Sequence, residues 1–201
     1  MELFKVSKRN ILTVTVILTT TSFILILFFS KSIPSSLLQI GTIVTIVTLF
    51  WIYFEKIGWH CRIFRVGGWL SNIPDIRGRW EGNLRRDGEA NEHKFILEIT
   101  QTASKVKVST YSAHSSSYSI ISNILFDQTE DDVVLIYTWL GSTSNPIHGH
   151  EPGNFYGTSI LRLNLDNPKK LKGEYYTNRR PQQTQGKLEL EWKQLERRGE
   201  F

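Results

Sequence analysis

Residues 11–29 read ILTVTVILTTTSFILILFF, and residues 37–54 read LLQIGTIVTIVTLFWIYF. Neither stretch contains a charged residue. Each is long enough to cross a hydrocarbon core of about 30 Å as a helix that rises about 1.5 Å per residue. The many threonines are compatible with a membrane helix, because a threonine hydroxyl can donate to the carbonyl one turn back. The two stretches therefore predict an N-terminal transmembrane hairpin.

A cleaved signal peptide is the alternative for the first stretch, because Lys5, Lys8 and Arg9 precede it as in a signal n-region. The apolar run is longer than that of a signal peptide, lacks a small-residue cleavage site and is followed by a second span. Basic residues also follow the second span, whereas the connection at 31–36 holds one lysine. The positive-inside rule then places both termini in the cytoplasm.

The charge distribution separates two regions near residue 65. The chain has a formal net charge of +5, but residues 1–65 carry seven Lys/Arg and two Asp/Glu, which leaves seventeen of each for residues 66–201. The sequence thus predicts a membrane part at 1–65 and an electrically neutral soluble domain at 66–201. Neutrality disfavours a DNA or RNA polymer as the partner. A single cysteine, Cys61, excludes an internal disulfide and suits a reducing compartment.

The soluble domain contains eight short runs that are rich in β-branched and aromatic residues. Several runs alternate, as where Leu161, Leu163 and Leu165 oppose Arg162 and Asn164, so one face of each strand is buried. This pattern predicts an eight-stranded antiparallel up-and-down β-barrel of lipocalin-like form, with a two-sheet sandwich as the alternative. The predicted strands are 77–84, 93–102, 105–112, 118–126, 133–140, 158–165, 170–178 and 187–195.

The predicted connections differ in length between the two ends of the barrel. Short connections follow every second strand, at 103–104, 128–132 and 166–169. Longer ones lie at the opposite end, which we call the mouth: they are 85–92, 113–117, 141–157 and 179–186. Long loops on a rigid scaffold commonly carry binding sites. We therefore expect a ligand site at the mouth.

Catalytic and metal chemistry has little support. His148, His150 and Glu151 lie in the segment NPIHGHEPG, but no further Cys/His cluster completes a metal site. His114 precedes three serines without the order of a catalytic triad, and a flexible polar loop explains it equally well. No phosphate-loop or dinucleotide-binding fingerprint is present. We predict neither an enzyme nor a metal or cofactor.

Aromatic, hydroxyl and basic side chains cluster near the mouth. Aromatic faces can stack on nucleobases, and arginine can bind phosphate with two hydrogen bonds. Alternatively, many of the rings fill the core of a small barrel, whose interior holds side chains or one small ligand. The candidate ligand-binding residues are Thr110, Tyr111, Tyr118, Tyr137, Trp139, Tyr156, Tyr175, Thr177, Arg179 and Arg180, with Arg85 and Arg86 as the next candidates.

Strand alternation predicts which candidates face inward. If Leu171 points inward, so do Tyr175, Thr177 and Arg179. The same reasoning places Thr110 inside and its neighbour Tyr111 outside. The strand with Tyr137 and Trp139 is apolar on both faces, which leaves their direction open.

The opposite end has a structural signature. Gly78-Arg79-Trp80 begins the first strand, and Arg197-Arg198 lies near the end of the chain. This pairing is similar to the Gly-X-Trp and late arginine that close lipocalin-like barrels. We expect Trp80 to fill the closed end, with an arginine stacked on it.

The two spans, the strand-only domain and the segment IPDIRGRWEG at 73–82 make the chain similar to a known family. It resembles the SMODS-associating two-transmembrane, β-strand-rich effectors of bacterial CBASS anti-phage systems. The resemblance implies a barrel that binds a cyclic dinucleotide or oligonucleotide made by a partner nucleotidyltransferase. It also implies a multi-pass protein of the bacterial inner membrane that forms homo-oligomers on activation and disrupts the membrane, which causes abortive infection.

Two other functions remain open from the residues alone. A membrane-anchored barrel could bind a lipid or another small apolar molecule, as lipocalins do, or its loops could bind a protein. An apolar mouth would favour the lipid, whereas Tyr, Thr and Arg at the mouth favour a nucleotide.

Overall fold

The computed structural model describes most of the chain, in two compact units. The described residues are 2–3, 8–29, 36–113, 115–127, 132–143, 153–164, 167–179 and 183–201. The helical unit comprises Lys5–Ile73 and Thr102–Ser104, and the barrel unit comprises Met1–Phe4, Pro74–Gln101 and Lys105–Phe201.

Two long helices form most of the helical unit: α1 (Lys8–Phe29) and α2 (Ser36–Lys56). The hydroxyls of Thr15 and Thr45 each donate to the carbonyl one turn back, at 2.9 and 2.8 Å. Trp51 Nε1 of α2 donates to Thr15 Oγ1 of α1 at 3.2 Å. Threonine therefore satisfies its polarity within the helix, as predicted, and also links the two helices.

One segment within the described residues, Lys8–Phe28, is long and apolar enough to cross a membrane. The second predicted span, 37–54, falls within α2. Short helical turns follow α2 at Gly58–His60 and Val66–Gly68, with α3 (Arg62–Arg65) between them.

Nine strands lie in the described residues of the barrel unit, and eight of them close a ring. Strands β2 to β9 pair antiparallel in chain order, and β9 pairs with β2. The structure is therefore an up-and-down barrel and not a sandwich. The two-residue β1 pairs with the far end of β5. The strands are β1 (Glu2–Leu3), β2 (Gly78–Arg86), β3 (Glu92–Gln101), β4 (Val106–Ser112), β5 (Ser115–Asp127), β6 (Asp132–Thr143), β7 (Gly153–Asn164), β8 (Lys170–Thr177) and β9 (Gln185–Gln194).

The inward faces of the strands form one hydrophobic core. Leu161 and Leu163 are buried, whereas Arg162 between them is only half-buried, as the alternation predicted. Each such fully buried side chain contributes about 1.5–3 kcal/mol relative to an exposed one. The core includes Leu97, Ile99, Val108, Leu135, Leu161, Leu171, Leu188 and Leu190.

Trp80 fills the closed end, where its Nε1 donates to the Ile76 carbonyl at 3.0 Å. The predicted arginine stacking is wrong: no cation–π contact within the described residues involves Trp80, and Arg197 donates to Thr100 Oγ1. The buried charge at this end belongs to Arg79, which pairs with Glu98 at 3.0 Å. Burial of both groups requires such pairing, because an isolated buried charge is costly.

The predicted strand ends near the mouth need correction. β5 begins at Ser115, so the connection after β4 contains residues 113–114 and not 113–117. β6 extends to Thr143 and β7 begins at Gly153, which removes both flanks of the predicted loop 141–157. The residues concerned are mostly Ser, Gly and Asn, which sequence propensity assigns to loops. They are strand residues here because each has a cross-strand partner.

Candidate functional site: a cavity at the mouth of the barrel

A cavity of about 480 Å³ lies at the mouth, lined by the mouth-side ends of strands β2 to β9. Its volume falls within the range of about 300–1,000 Å³ usual for small-molecule sites. The lining combines aromatic rings, hydroxyl groups and charged or ionisable groups: Arg86 and Arg179, with Lys94, His93 and the carboxylate of Glu92. This is the end of the barrel at which the connection lengths predicted a site.

Trp139 and Phe155 form an aromatic wall in this cavity. Their ring centroids are 5.6 Å apart, with an interplanar angle of 84°. Trp139 Nε1 donates to Ser159 Oγ at 3.0 Å, which fixes the indole. Residue 157 must be small, because a Cβ at Gly157 would lie 2.3 Å from Trp139 Cζ2. Gly157 thus makes room for an indole that lies against the strand.

Arg179 packs over this wall, with its Cζ 3.8 Å from the centroid of the Phe155 ring. Burial and then the charge of Arg86 lower the pKa of the Arg179 guanidinium. Arg86 also bonds Glu89 at 3.2 Å. The positive charges of the Arg86 and Arg179 guanidiniums repel each other within the cavity. An anion bound near both would offset that repulsion.

Two tyrosines place polar groups deep in the cavity. The Tyr137 and Tyr175 hydroxyl oxygens are buried, and neither has a well-formed hydrogen bond within the described residues. Burial raises the pKa of both phenols, while Ser159 and Arg86, respectively, lie near enough to offset part of this effect. A buried hydroxyl without a partner is costly, so these two groups are available to a ligand or to water.

Paired hydroxyls complete the lining. The hydroxyl oxygens of Thr110 on β4 and Ser117 on β5 are hydrogen-bonded at 2.5 Å. Those of Thr177 on β8 and Thr184, just before β9, are hydrogen-bonded at 2.6 Å. Each hydroxyl can donate one hydrogen bond and accept two. The cavity can therefore bind sugar hydroxyls and base edges as well as apolar surface.

The structure brings six of the ten candidate residues together in the lining. They are Thr110, Tyr137, Trp139, Tyr175, Thr177 and Arg179. The inward direction of Thr110, Tyr175, Thr177 and Arg179 agrees with strand alternation, and Tyr137 and Trp139, left open by the sequence, also face inward.

Three candidates lie elsewhere. Tyr118 and Tyr156 are more than half exposed on the outside of the barrel, and Tyr111 lies outside the lining. These three tyrosines therefore do not line the cavity. Arg180 lies outside the described residues.

Sequence reasoning missed Phe155 and Ser159, and it named Arg86 only as a second choice. Phe155 was assigned to a loop, so alternation was not applied to it. Counting by twos from buried Leu161 through Ser159 and Gly157 would have placed Phe155 inward.

In the described part of the chain, no group of three His, Cys, Asp or Glu is placed to hold a metal ion. His114, His148, His150 and Glu151 lie outside the described residues.

Comparison with known proteins gives two matches. The sequence model of the family described as "Cap15, cyclic dinucleotide receptor domain" matches residues 71–192. CD-NTase-associated protein 15 from Staphylococcus schleiferi is 30% identical over 148 residues, which cover 73% of this chain and 75% of that protein. The matches confirm the resemblance to CBASS-associated effectors, a receptor family and not a catalytic one. The chain therefore belongs to the Cap15 family, whose members carry a cyclic dinucleotide receptor domain.

Proposed function

We propose that the cavity at the mouth binds a cyclic dinucleotide or a related cyclic oligonucleotide. The observation that carries this proposal is the aromatic wall of Trp139 and Phe155 directly beside the guanidiniums of Arg179 and Arg86. Aromatic surface and an anion site at stacking distance match the base and the phosphate of one nucleotide.

Each group has a defined role in this proposal. A base stacks against the Trp139 indole, and the adjoining phosphate accepts hydrogen bonds from Arg179, with Arg86 as second donor. The buried hydroxyls of Tyr137 and Tyr175, which have no well-formed hydrogen bond among the described residues, bond to polar atoms of the ligand. The two hydroxyl pairs, one of them Thr177 with Thr184, face the ribose.

A lipid or another apolar ligand fits this cavity less well. Arg86, Arg179 and several hydroxyls belong to the lining, and a purely apolar ligand would offer no hydrogen bond to the buried Tyr137 and Tyr175 hydroxyls, which have no well-formed one within the described residues. A buried hydroxyl left without a hydrogen bond costs about 1–3 kcal/mol. The cavity composition therefore favours a polar anion with aromatic parts.

We further propose that α1 and α2 anchor the chain in the bacterial inner membrane with both termini in the cytoplasm. Ligand binding then drives assembly of several chains, and the assembled helices disrupt the membrane. Support comes from the apolar segment Lys8–Phe28 and from the absence of charge in 11–29 and 37–54. A single hairpin with no charged group in residues 11–29 or 37–54 offers no ion pathway through the membrane, so damage requires several copies.

Calorimetric titration of the full chain in detergent tests the binding proposal. The panel contains cyclic di-AMP, cyclic di-GMP, a mixed cyclic dinucleotide, linear pApA and a fatty acid. We expect at least one cyclic nucleotide to bind, with pApA and the fatty acid at least about tenfold weaker. Binding of the fatty acid alone would contradict the proposal.

Expression with and without a cyclic-nucleotide synthase tests the membrane proposal. We expect membrane permeabilisation only from the full chain with the synthase, and from neither the helical part nor the barrel part alone. Equal permeabilisation without the synthase would refute ligand-driven disruption while leaving the binding proposal intact.

A further inference from the structure

The outer surface of β5 to β8 carries an apolar patch that the cavity does not explain. Six large side chains on this surface are 37–70% exposed. We call this set the β5–β8 patch: it consists of Tyr118, Ile120, Ile121, Tyr156, Ile160 and Tyr176.

The strand register makes the patch continuous. Tyr118 lies opposite Leu140, which lies opposite Tyr156. The next row runs from Ile121 through Thr138 and Thr158 to Tyr176. In the third row Ile136 lies opposite Ile160, with Asn123 and Glu174 at the two ends of the row. Residues directly opposite each other in antiparallel strands share a face. The rows therefore form one surface across four strands.

A β-bulge enlarges the patch at its β5 edge. The β5–β6 register shifts between Ser119 and Ile121, and the two consecutive isoleucines there are 51% and 70% exposed. Regular alternation would have turned one of them inward. Contiguous exposed apolar side chains commonly mark an interaction site, so two exposed isoleucines here indicate a surface that is covered in the functional state.

The outer surface of β8 and β9 beyond the patch is different. Lys172 pairs with Glu189 at 3.0 Å, and Lys170 pairs with Glu191 at 3.4 Å. These cross-strand ion pairs are typical of a solvated face. The barrel therefore has one charged side and one apolar side.

We propose that the β5–β8 patch is the surface through which the barrels of two copies of this chain pair. Taking about 200 Å² for a fully exposed side chain, the patch offers about 600 Å² per copy. Two copies would bury about 1,200 Å², which reaches the size of a specific protein interface. The six patch residues are uncharged and include three tyrosines, the composition usual for the centre of such an interface.

This proposal rests on the ligand-driven assembly of several chains proposed above. It identifies the β5–β8 patch as the surface through which those chains make contact. The patch is also placed to respond to the ligand. Phe155 and Tyr175 line the cavity, while their neighbours Tyr156 and Tyr176 belong to the patch. A shift of β7 or β8 on ligand binding would therefore move both surfaces.

Cysteine cross-linking in membranes tests the pairing. In a Cys61→Ser background, Thr158→Cys places a thiol at the centre of the patch, and Lys172→Cys places one on the charged side as the matched control. Membranes are oxidised with and without added cyclic di-AMP or cyclic di-GMP. We expect disulfide-linked dimers from Thr158→Cys, and at least about tenfold fewer from Lys172→Cys.

Ile121→Asp added to Thr158→Cys should reduce the linked dimer at least about tenfold, because it places a charge in the interface. Leu195→Asp is the control, since Leu195 is 56% exposed outside the patch. Thermal melting of each variant checks folding.

Equal cross-linking at positions 158 and 172 would overturn the proposal. If a lysine-reactive cross-linker traps oligomers while position 158 yields none, the patch assignment fails and the proposed assembly stands. If neither the lysine-reactive cross-linker nor oxidation of the position-158 cysteine traps oligomers, both the patch assignment and the proposed assembly are wrong. A bimane label at position 158 that shifts to the blue on adding vesicles, without cross-linking, would identify lipid as the partner and overturn the pairing.

Discussion

Gly157 and Trp139 set the position of the aromatic wall. A Cβ at residue 157 would lie 2.3 Å from the indole, so Gly157→Ala must displace Trp139 or the strand beneath it. We expect a loss of about 1–3 kcal/mol in the free energy of unfolding, as for other overpacked cores, together with weaker ligand binding. Urea unfolding and calorimetry measure the two effects.

A double-mutant cycle separates this clash from a general effect of alanine. Trp139→Leu removes the ring, so Gly157→Ala added to it should cost little further stability. If Gly157→Ala costs the same with and without the indole, the steric explanation is wrong.

Arg179 is the side chain that we expect to bind the phosphate. Arg179→Ala should weaken cyclic-nucleotide binding by about 1.5–3 kcal/mol, the contribution of a charged hydrogen bond, and should leave the fold intact. Arg162→Ala is the matched control, because Arg162 pairs with Asp127 at 3.0 Å and does not line the cavity. Equal affinities of the two variants would remove Arg179 from the site.

The buried phenols predict a loss of stability in alkaline solution. Burial raises the pKa of Tyr137 and of Tyr175, so both stay protonated in the folded chain at pH values where the unfolded chain loses these protons. Loss of these protons stabilises the unfolded state relative to the folded state as the pH rises above about 10, so the free energy of unfolding falls. Unfolding midpoints from pH 8 to 11.5 should fall less steeply for Tyr137→Phe than for the natural chain. Identical slopes would show that Tyr137 titrates normally.

The seam between β4 and β5 is the least regular part of the barrel. Within the described residues, the paired register of these strands ends at Ser109 and Tyr118. Beyond it, serine hydroxyls replace backbone partners: the Val108 N–H donates to Ser119 Oγ at 2.9 Å, and Ser122 Oγ donates to the Val106 carbonyl. The barrel is therefore closed at this seam partly by side chains.

Ser119→Ala tests that role. The buried Val108 N–H would lose its partner, at a cost of about 1–3 kcal/mol, and its amide should exchange with solvent faster. Ser122→Ala is the control, because it removes a donor to a carbonyl and leaves the Val108 amide bonded. Unchanged exchange at Val108 in Ser119→Ala would show that the seam does not depend on this bond.

The strands with regular alternation were predictable from the sequence, and the strands near the mouth were predictable only in part. The inward direction of Leu161 and Leu163 follows from the two-residue alternation of the strand alone. Ser115 and Phe155 are strand residues because long-range partners on β6 hold them there, and a single sequence does not reveal those partners. Because these long-range partners were not apparent, Phe155 was assigned to a loop and was not included in the predicted site.

The chain as a whole combines a neutral region at 66–201 with a basic region at 1–65, and this division agrees with the proposed receptor function. A receptor for a small anion needs one or two arginines inside a cavity and no basic surface. The charged groups of residues 66–201 balance, and Arg86 and Arg179 line the cavity. Long-range attraction of nucleic acid polymers is thereby avoided.

Photoaffinity mapping tests most directly whether a cyclic dinucleotide occupies the cavity. The full chain is irradiated with an azido-adenine derivative of a cyclic dinucleotide that binds in the calorimetric panel, and the labelled peptides are identified by mass spectrometry. We predict labels on the mouth-side ends of β6 and β7, at or next to Trp139 and Phe155, that unlabelled ligand suppresses. Labels confined to the outer surface of the barrel or to α1 and α2 would contradict the assignment.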